Sequence, residues 1–138
     1  MMEFPAEQKR SGASNVHRLQ PLRVLVAGRD RRFMRVTSFL LSRRGYAVAQ
    51  SAAAHAVDAA QRNKADVVVL EDGTSRAAIA RDIAALGALA AAPSVLLVTD
   101  NDRRWLGLRT VEKWMPIDAL VNEIEAASRN RPAPFLEA

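Results

Sequence analysis

The sequence predicts an α/β fold: a doubly wound parallel sheet in three layers, with helices on both faces. Three observations carry this. Apolar runs at Arg23 to Ala27, Asp66 to Leu70 and Val95 to Val98 show no polar alternation, as strands covered on both faces do. Apolar residues between the runs recur at three- and four-residue spacing, the mark of amphipathic helices. The two patterns alternate along the chain, which implies right-handed crossovers and parallel strands.

The elements follow in order. Residues 1–20 mix Pro, Ser, Gly, Asn and charges without periodicity and read as an N-terminal arm. After the first strand, Phe33, Val36 and Phe39/Leu40 mark a helix from about Arg31 to Arg44, and Gly45 suits the left-handed residue that ends one. Tyr46 to Ala49 is a second strand, followed by a helix from about Ala53 to Asn63 with Ala56, Val57 and Ala60 inward. The third strand ends at Leu70-Glu71, and turn chemistry at Asp72 to Ser75 leads into a helix from about Arg76 to Leu89. Ile79, Ile83 and Leu86 form its apolar side. Pro93 precedes the fourth strand, and a short fifth strand is expected near Val111–Met115. Pro116 opens a last helix, about Asp118 to Ser128, with Leu120, Val121, Ile124 and Ala127 inward. One ordered domain, 21–129, thus lies between the arm and a tail at 130–138.

At 138 residues and 49% apolar composition, the chain suits one globular domain. No apolar run reaches the roughly 18 residues needed to cross a bilayer, so no membrane insertion is expected. The N-terminus carries Glu3, Glu7, Lys9 and Arg10 and does not read as a secretory signal, so the expected compartment is cytoplasmic. Zero cysteines exclude disulfides, thiolate catalysis and Cys-zinc sites. The net charge of +5 invites a nucleic-acid reading. Only Lys9, Lys64 and Lys113 are lysines, however, and no aromatic interleaving supports base stacking.

Ligands of open parallel sheets sit beyond the carboxyl ends of the strands. Those tips here are Gly28-Arg29-Asp30, Glu71-Asp72, Thr99-Asp100 and Met115-Pro116. From Leu22 to Arg129, and best over Val24 to Gln50, the chain resembles the response-regulator receiver domains, the CheY-like family. The resemblance implies a five-stranded sheet in the flavodoxin-like order 2-1-3-4-5. Only Asp100 to Trp114 separates Thr99 from Met115, so the fourth helix of that pattern should be shortened.

Receivers carry two acids after the first strand that bind magnesium; Gly28 and Arg29 stand there, with Asp30 one place later. Their phosphate-accepting Asp is replaced by Glu71. Their Thr or Ser after the fourth strand is kept as Thr99, and their Lys-Pro pair reads Met115-Pro116. The resemblance therefore implies a degenerate phosphorylation pocket. Magnesium wants octahedral oxygen ligands, and Gly28 offers none. A guanidinium about 5 Å from a dication, at an effective dielectric of about 20, is repelled by roughly 6–7 kcal/mol. Glu71 also displaces the nucleophile by a methylene, which in-line transfer does not tolerate. No magnesium, no other cofactor and no catalytic residue is expected.

Two readings of Arg29 stand open. Either it takes the metal's place and pairs with Glu71, or it swings into solvent and Glu71 is a solvated strand-end acid. Lys113, two residues before Met115 and on the same side of a strand, is a candidate substitute for the missing lysine. Asp30, Asp72 and Asp100 read as turn or N-cap residues, or as a displaced cation site. His17 and His55 have no second ligand at metal spacing.

The expected function is phosphorylation-independent protein–protein interaction in two-component-type signalling, without enzyme activity. Candidate interface residues are the basic set Arg31, Arg35, Arg43 and Arg44, with Trp105, Lys113 and Trp114. The expected partner is a histidine kinase, a phosphotransfer protein, an effector or a second copy of the chain. The alternatives are a working receiver using Asp72 with Asp30 and Lys113, and a basic nucleic-acid binder.

Overall fold

The computed structural model describes residues 20–71, 75–99 and 108–130. Strands β1 (Arg23–Gly28), β2 (Ala47–Ala52), β3 (Val67–Glu71), β4 (Ser94–Thr99) and β5 (Arg109–Glu112) alternate with helices α1 (Arg31–Arg43), α2 (Ala56–Asn63), α3 (Arg76–Gly87) and α4 (Ile117–Arg129). The sheet is entirely parallel in the order β2-β1-β3-β4-β5, as the resemblance implied.

Strand alternation divides the interior into two cores. Val24, Val26, Val67, Val69, Leu96 and Val98 pack against Phe33, Met34 and Leu41 of α1 and Leu120, Ile124 and Ala127 of α4. On the other face Leu25, Ala27, Val68, Leu70 and Leu97 meet Ala56, Ala59 and Ala60 of α2 and Ile79 and Leu86 of α3. Each fully buried Leu, Ile or Val contributes about 1.5–3 kcal/mol relative to exposure.

Local chemistry sets the ends. Asp30 caps α1 by accepting from the Phe33 N–H, and Ser75 caps α3 through the Ala78 N–H. At the other end of α1, Tyr46 N–H donates to Leu41 O and Gly45 N–H to Ser42 O, a Schellman closure. It requires Gly45 at φ +94°, as the sequence predicted.

Four expectations change. The fifth strand is Arg109–Glu112, not Val111–Met115, because the backbone turns at Lys113 and Trp114 takes φ 65°. The buried side of α1 is Phe33, Met34, Thr37, Ser38 and Leu41, leaving Val36, Phe39 and Leu40 exposed. Thr37 and Ser38 are buried on the side of α1 that meets the sheet, the arc that Val36 and Leu40 were expected to fill. The second helix begins at Ala56 after a 3₁₀ turn over Ala53–His55, and Ala59 is buried where Val57 is only partly so. The third helix stops at Gly87 rather than Leu89. Nine positions, 100–108, separate β4 from β5, fewer than the dozen or so of an ordinary helical crossover, in keeping with a shortened fourth helix. The readings of residues 1–19 and 131–138, and of Asp72, Asp100, Trp105 and His17, lie outside the described residues.

Candidate functional site

Three strand tips converge at the carboxyl edge of the sheet. Glu71 ends β3 with the same parity as Val67 and Val69, so its carboxyl is aimed beneath the start of α1. Lys113 directly follows β5 and shares the parity of Val111, which faces the same core. Its backbone N–H donates to Thr99 O at 2.8 Å, so one more ladder bond fixes its direction. Asp30 sits at the α1 N-cap beside both.

These placements create a compact ion cluster. Lys113 Nζ donates to Glu71 Oε2 and to Asp30 Oδ2, both at 2.8 Å. Glu71 Oε1 accepts the Arg29 N–H at 2.8 Å and the Asp30 N–H at 2.9 Å. The Glu71 side chain is 8% exposed, Lys113 13% and Asp30 35%. Burial pushes the Glu71 carboxyl upward, but Lys113 and the two backbone donors outweigh it and hold the group below its ordinary value. Asp30 is lowered mainly by its bond to Lys113, then by the Phe33 N–H. Burial disfavours the Lys113 ammonium, yet the two carboxylates more than offset this and raise it.

Two expectations are corrected here. The cation on Glu71 is Lys113, not Arg29; Arg29 reaches Glu71 through its backbone N–H. The exposed-acid alternative also fails, since Glu71 is buried. Lys113, and not Met115, is the residue that directly follows the fifth strand. The shifted strand end concealed this. Met115 instead packs partly buried on the α1–α4 core, and Pro116 holds the N-cap position of α4. Asp30 does serve as an N-cap, and Lys113 draws it into the cluster as well.

The remaining predicted residues separate. Thr99 ends β4 and is buried, with 3% exposure. Arg31, Arg35 and Arg43 lie exposed on α1. Arg44 is bonded to Asp118 and so ties the end of α1 to the start of α4. Trp114 stands half-exposed, its ring edge-on to Phe33 at 5.4 Å. Sequence reasoning missed Phe33 as a wall of this site: its ring lies 5.5 Å from Lys113 Nζ. Phe33 at the third position after the N-cap Asp30 was the available signal.

Magnesium is the cation that receiver chemistry uses, and the described residues of this site do not form a ligand set that fits it. The facing oxygens of Asp30 and Glu71 are bridged by an ammonium. The Glu71 side chain fills the space beside Gly28, so no ligating side chain fits there. Among the described residues no group of three or more His, Cys, Asp or Glu is placed to hold a metal ion. No described helix is long and apolar enough to cross a membrane.

No protein-family model and no curated protein matches the sequence. Solved structures do. The signal receiver domain of an HD domain-containing protein from Pseudomonas fluorescens Pf-5 aligns at TM-score 0.68 and 15% identity, covering 80% of this chain and 97% of that one. A LuxR-family two-component response regulator from Aurantimonas sp. SI85-9A1 aligns at 0.65 and 22%, covering 83% and 89%. A CheY-like response regulator receiver domain protein from Methanospirillum hungatei JF-1 aligns at 0.65 and 13%, covering 80% and 96%. With the strand order and the parallel register, these likenesses establish the fold: the chain has the response-regulator receiver, or CheY-like, architecture on a widely divergent sequence.

Proposed function

We propose that the chain is a cytoplasmic receiver-fold interaction module of two-component-type signalling that acts without aspartyl phosphate, magnesium or catalysis. Its partner is a histidine kinase, a phosphotransfer protein, an effector or a second copy. The observation that carries this reading is the Lys113 ammonium bridging Glu71 and Asp30. Phosphoryl transfer relies on positioning and on charge neutralisation around the acceptor. Here the acceptor position holds a longer acid whose Oε1 is occupied by two backbone donors and whose Oε2 is occupied by Lys113. Three of the carboxylate's roughly four lone-pair sites are thus engaged, so attack on a phosphoryl donor competes with the hydrogen bonds of the cluster.

Magnesium with beryllofluoride, titrated into isotope-labelled chain, tests the reading. The expected result is no saturable shift in the amides of Gly28, Arg29, Glu71, Thr99 or Lys113. Saturable shifts there, or label entering the chain from radiolabelled acetyl phosphate, would overturn it. A second reading draws on the same lysine. Lys113 reaching the cleft supplies a cation that a working phosphoacceptor needs, and the acetyl phosphate measurement separates the two.

A further inference from the structure

A hollow of about 360 Å³ lies at the amino edge of the sheet, the end opposite the Lys113 cluster. It sits between the end of α2 and the turn that joins α3 to β4. Its size falls at the lower end of small-molecule cavities, about 300–1,000 Å³. Ala60, Leu89, Ala90 and Ala91 make its apolar wall. Ala60 belongs to the buried face of α2, and Leu89 packs on the α2–α3 core. Protein interiors fill their space closely, so a hollow between two elements persists where the facing side chains are methyl groups.

The frame beside it is fixed by Asp66. The Asp66 N–H donates to Arg23 O at 2.8 Å, and the Arg23 N–H donates to Asp66 Oδ2 at 2.9 Å. The Ser94 N–H donates to Asp66 O at 3.0 Å. One residue at the rim therefore ties the starts of β1, β3 and β4 together, and a ligand here would meet a preformed wall.

Two cations, Arg23 and Lys64, stand at the same rim against the single carboxylate of Asp66, which leaves it positive. Both are exposed, and neither side chain has a hydrogen bond or ion pair among the described residues. Lys64 holds its place at a conformational cost. It takes φ 53° as the left-handed cap of α2, with its N–H on Ala60 O and Gln61 O. Glycine fills such a cap more cheaply, so lysine here exchanges backbone ease for an ammonium at the rim. The carbonyls that end α2 are met by the Lys64 and Ala65 N–H groups, and those that end α3 by Ala88 and Leu89. Side-chain charge, not open helix ends, sets the sign of the site.

We propose that this hollow binds a small amphipathic organic anion of the arylcarboxylate class, its ring against Leu89 and the alanines and its carboxylate on Arg23 and Lys64. A guanidinium fork meets a carboxylate in bidentate fashion, and an ammonium adds a point charge beside it. The site lies at the far edge of the sheet from the Lys113 cluster and goes beyond the interaction-module reading.

The probe is naphthoate, titrated into the isotope-labelled full chain and followed by amide shifts. Controls are naphthylmethylamine, which keeps the ring and reverses the charge, and acetate, which keeps the anion without the ring. Naphthoate is expected to saturate shifts centred on Arg23, Lys64, Leu89 and Ala91, and to bind at least about tenfold more tightly than either control. Arg23→Gln/Lys64→Gly should weaken it by about tenfold or more. Both positions are exposed and Lys64→Gly relieves the left-handed cap, so the melting temperature should not fall through that substitution. Ala90→Leu, at an exposed wall position, sets a larger side chain in the hollow and should abolish the shifts. No saturable shift with naphthoate, equal binding of either control, shifts centred elsewhere, or binding that survives these variants would each overturn the proposal. Label from acetyl phosphate entering the chain defeats the interaction-module reading and leaves this site standing; a silent naphthoate titration without such labelling defeats this site alone.

Discussion

Glu71 occupies the space that a side chain at position 28 would need: a Cβ added to Gly28 falls 2.4 Å from Glu71 Oε1 and 2.7 Å from its Cβ. The two positions are therefore coupled. A longer acid at the end of β3 is accommodated because the end of β1 carries no side chain, and the carboxylate so placed takes the Arg29 and Asp30 N–H groups as donors.

This coupling is measurable. Gly28→Ala should destabilise the fold by about 1–3 kcal/mol, because the clash includes the fixed Glu71 Cβ as well as its flexible end. Combined with Glu71→Gly, the same substitution should add little further cost, a coupling of about 0.5–3 kcal/mol in a denaturant double-mutant cycle. Additive losses would show that the two positions do not compete for space.

Acid and base should act on the cluster in opposite directions. The folded-state pKa values of Asp30 and Glu71 are depressed below their ordinary 3.8 and 4.5. Their stabilisation is present above those values and is lost as pH falls through the folded ones. Lys113 is raised above its ordinary 10.5, so its contribution is present below that value and is lost as pH rises through the folded one. Urea midpoints should accordingly form a plateau between these limits. Glu71→Gln should make the acid limb shallower than in the parent chain, and an unchanged limb would remove Glu71 from the cause.

Tyr46 and Glu125 tie the start of β2 to α4. Tyr46 Oη donates to Glu125 Oε2 at 2.6 Å, and both residues are 6% exposed. Tyr46→Phe removes a donor from a buried carboxylate and should cost about 1.5–3 kcal/mol. Chemical denaturation of the variant checks this; a loss under about 0.5 kcal/mol would show the carboxylate satisfied without it.

Trp114→Gly separates display from stability. Relief of the left-handed backbone is worth about 1–2 kcal/mol. The edge-on contact with Phe33 is worth about 0.5–1.5 kcal/mol beyond area burial. The opposing terms should leave the melting temperature within a few degrees of the parent. A collapse of stability would make Trp114 a packing residue first.

Much of the fold was legible from the chain because burial on both faces leaves a direct mark. The uninterrupted apolar runs of β1, β3 and β4, the cap at Asp30 and the stop at Gly45 are local signals, and each element they predicted formed. The α1 face was misread because periodicity reports an apolar arc, not which part of that arc the sheet covers. The fifth strand was displaced because Val111, Trp114 and Met115 resemble a strand in composition, while the turn at Lys113 depends on what β4 and α4 require of the backbone.

The candidate site divides the same way. The sequence alone determined that Gly28, Arg29 and Glu71 stand at strand tips, because strand ends follow from pattern; the resemblance implied that receivers hold their acids there. Only the tertiary structure decided which cation meets Glu71. Arg29 is near in sequence to the tip, but Lys113 arrives from a strand two places along the sheet from β3, with its parity and its last ladder bond to Thr99 directing it inward. Pairings between residues 42 positions apart depend on where crossovers bring the chain back, which no local pattern encodes.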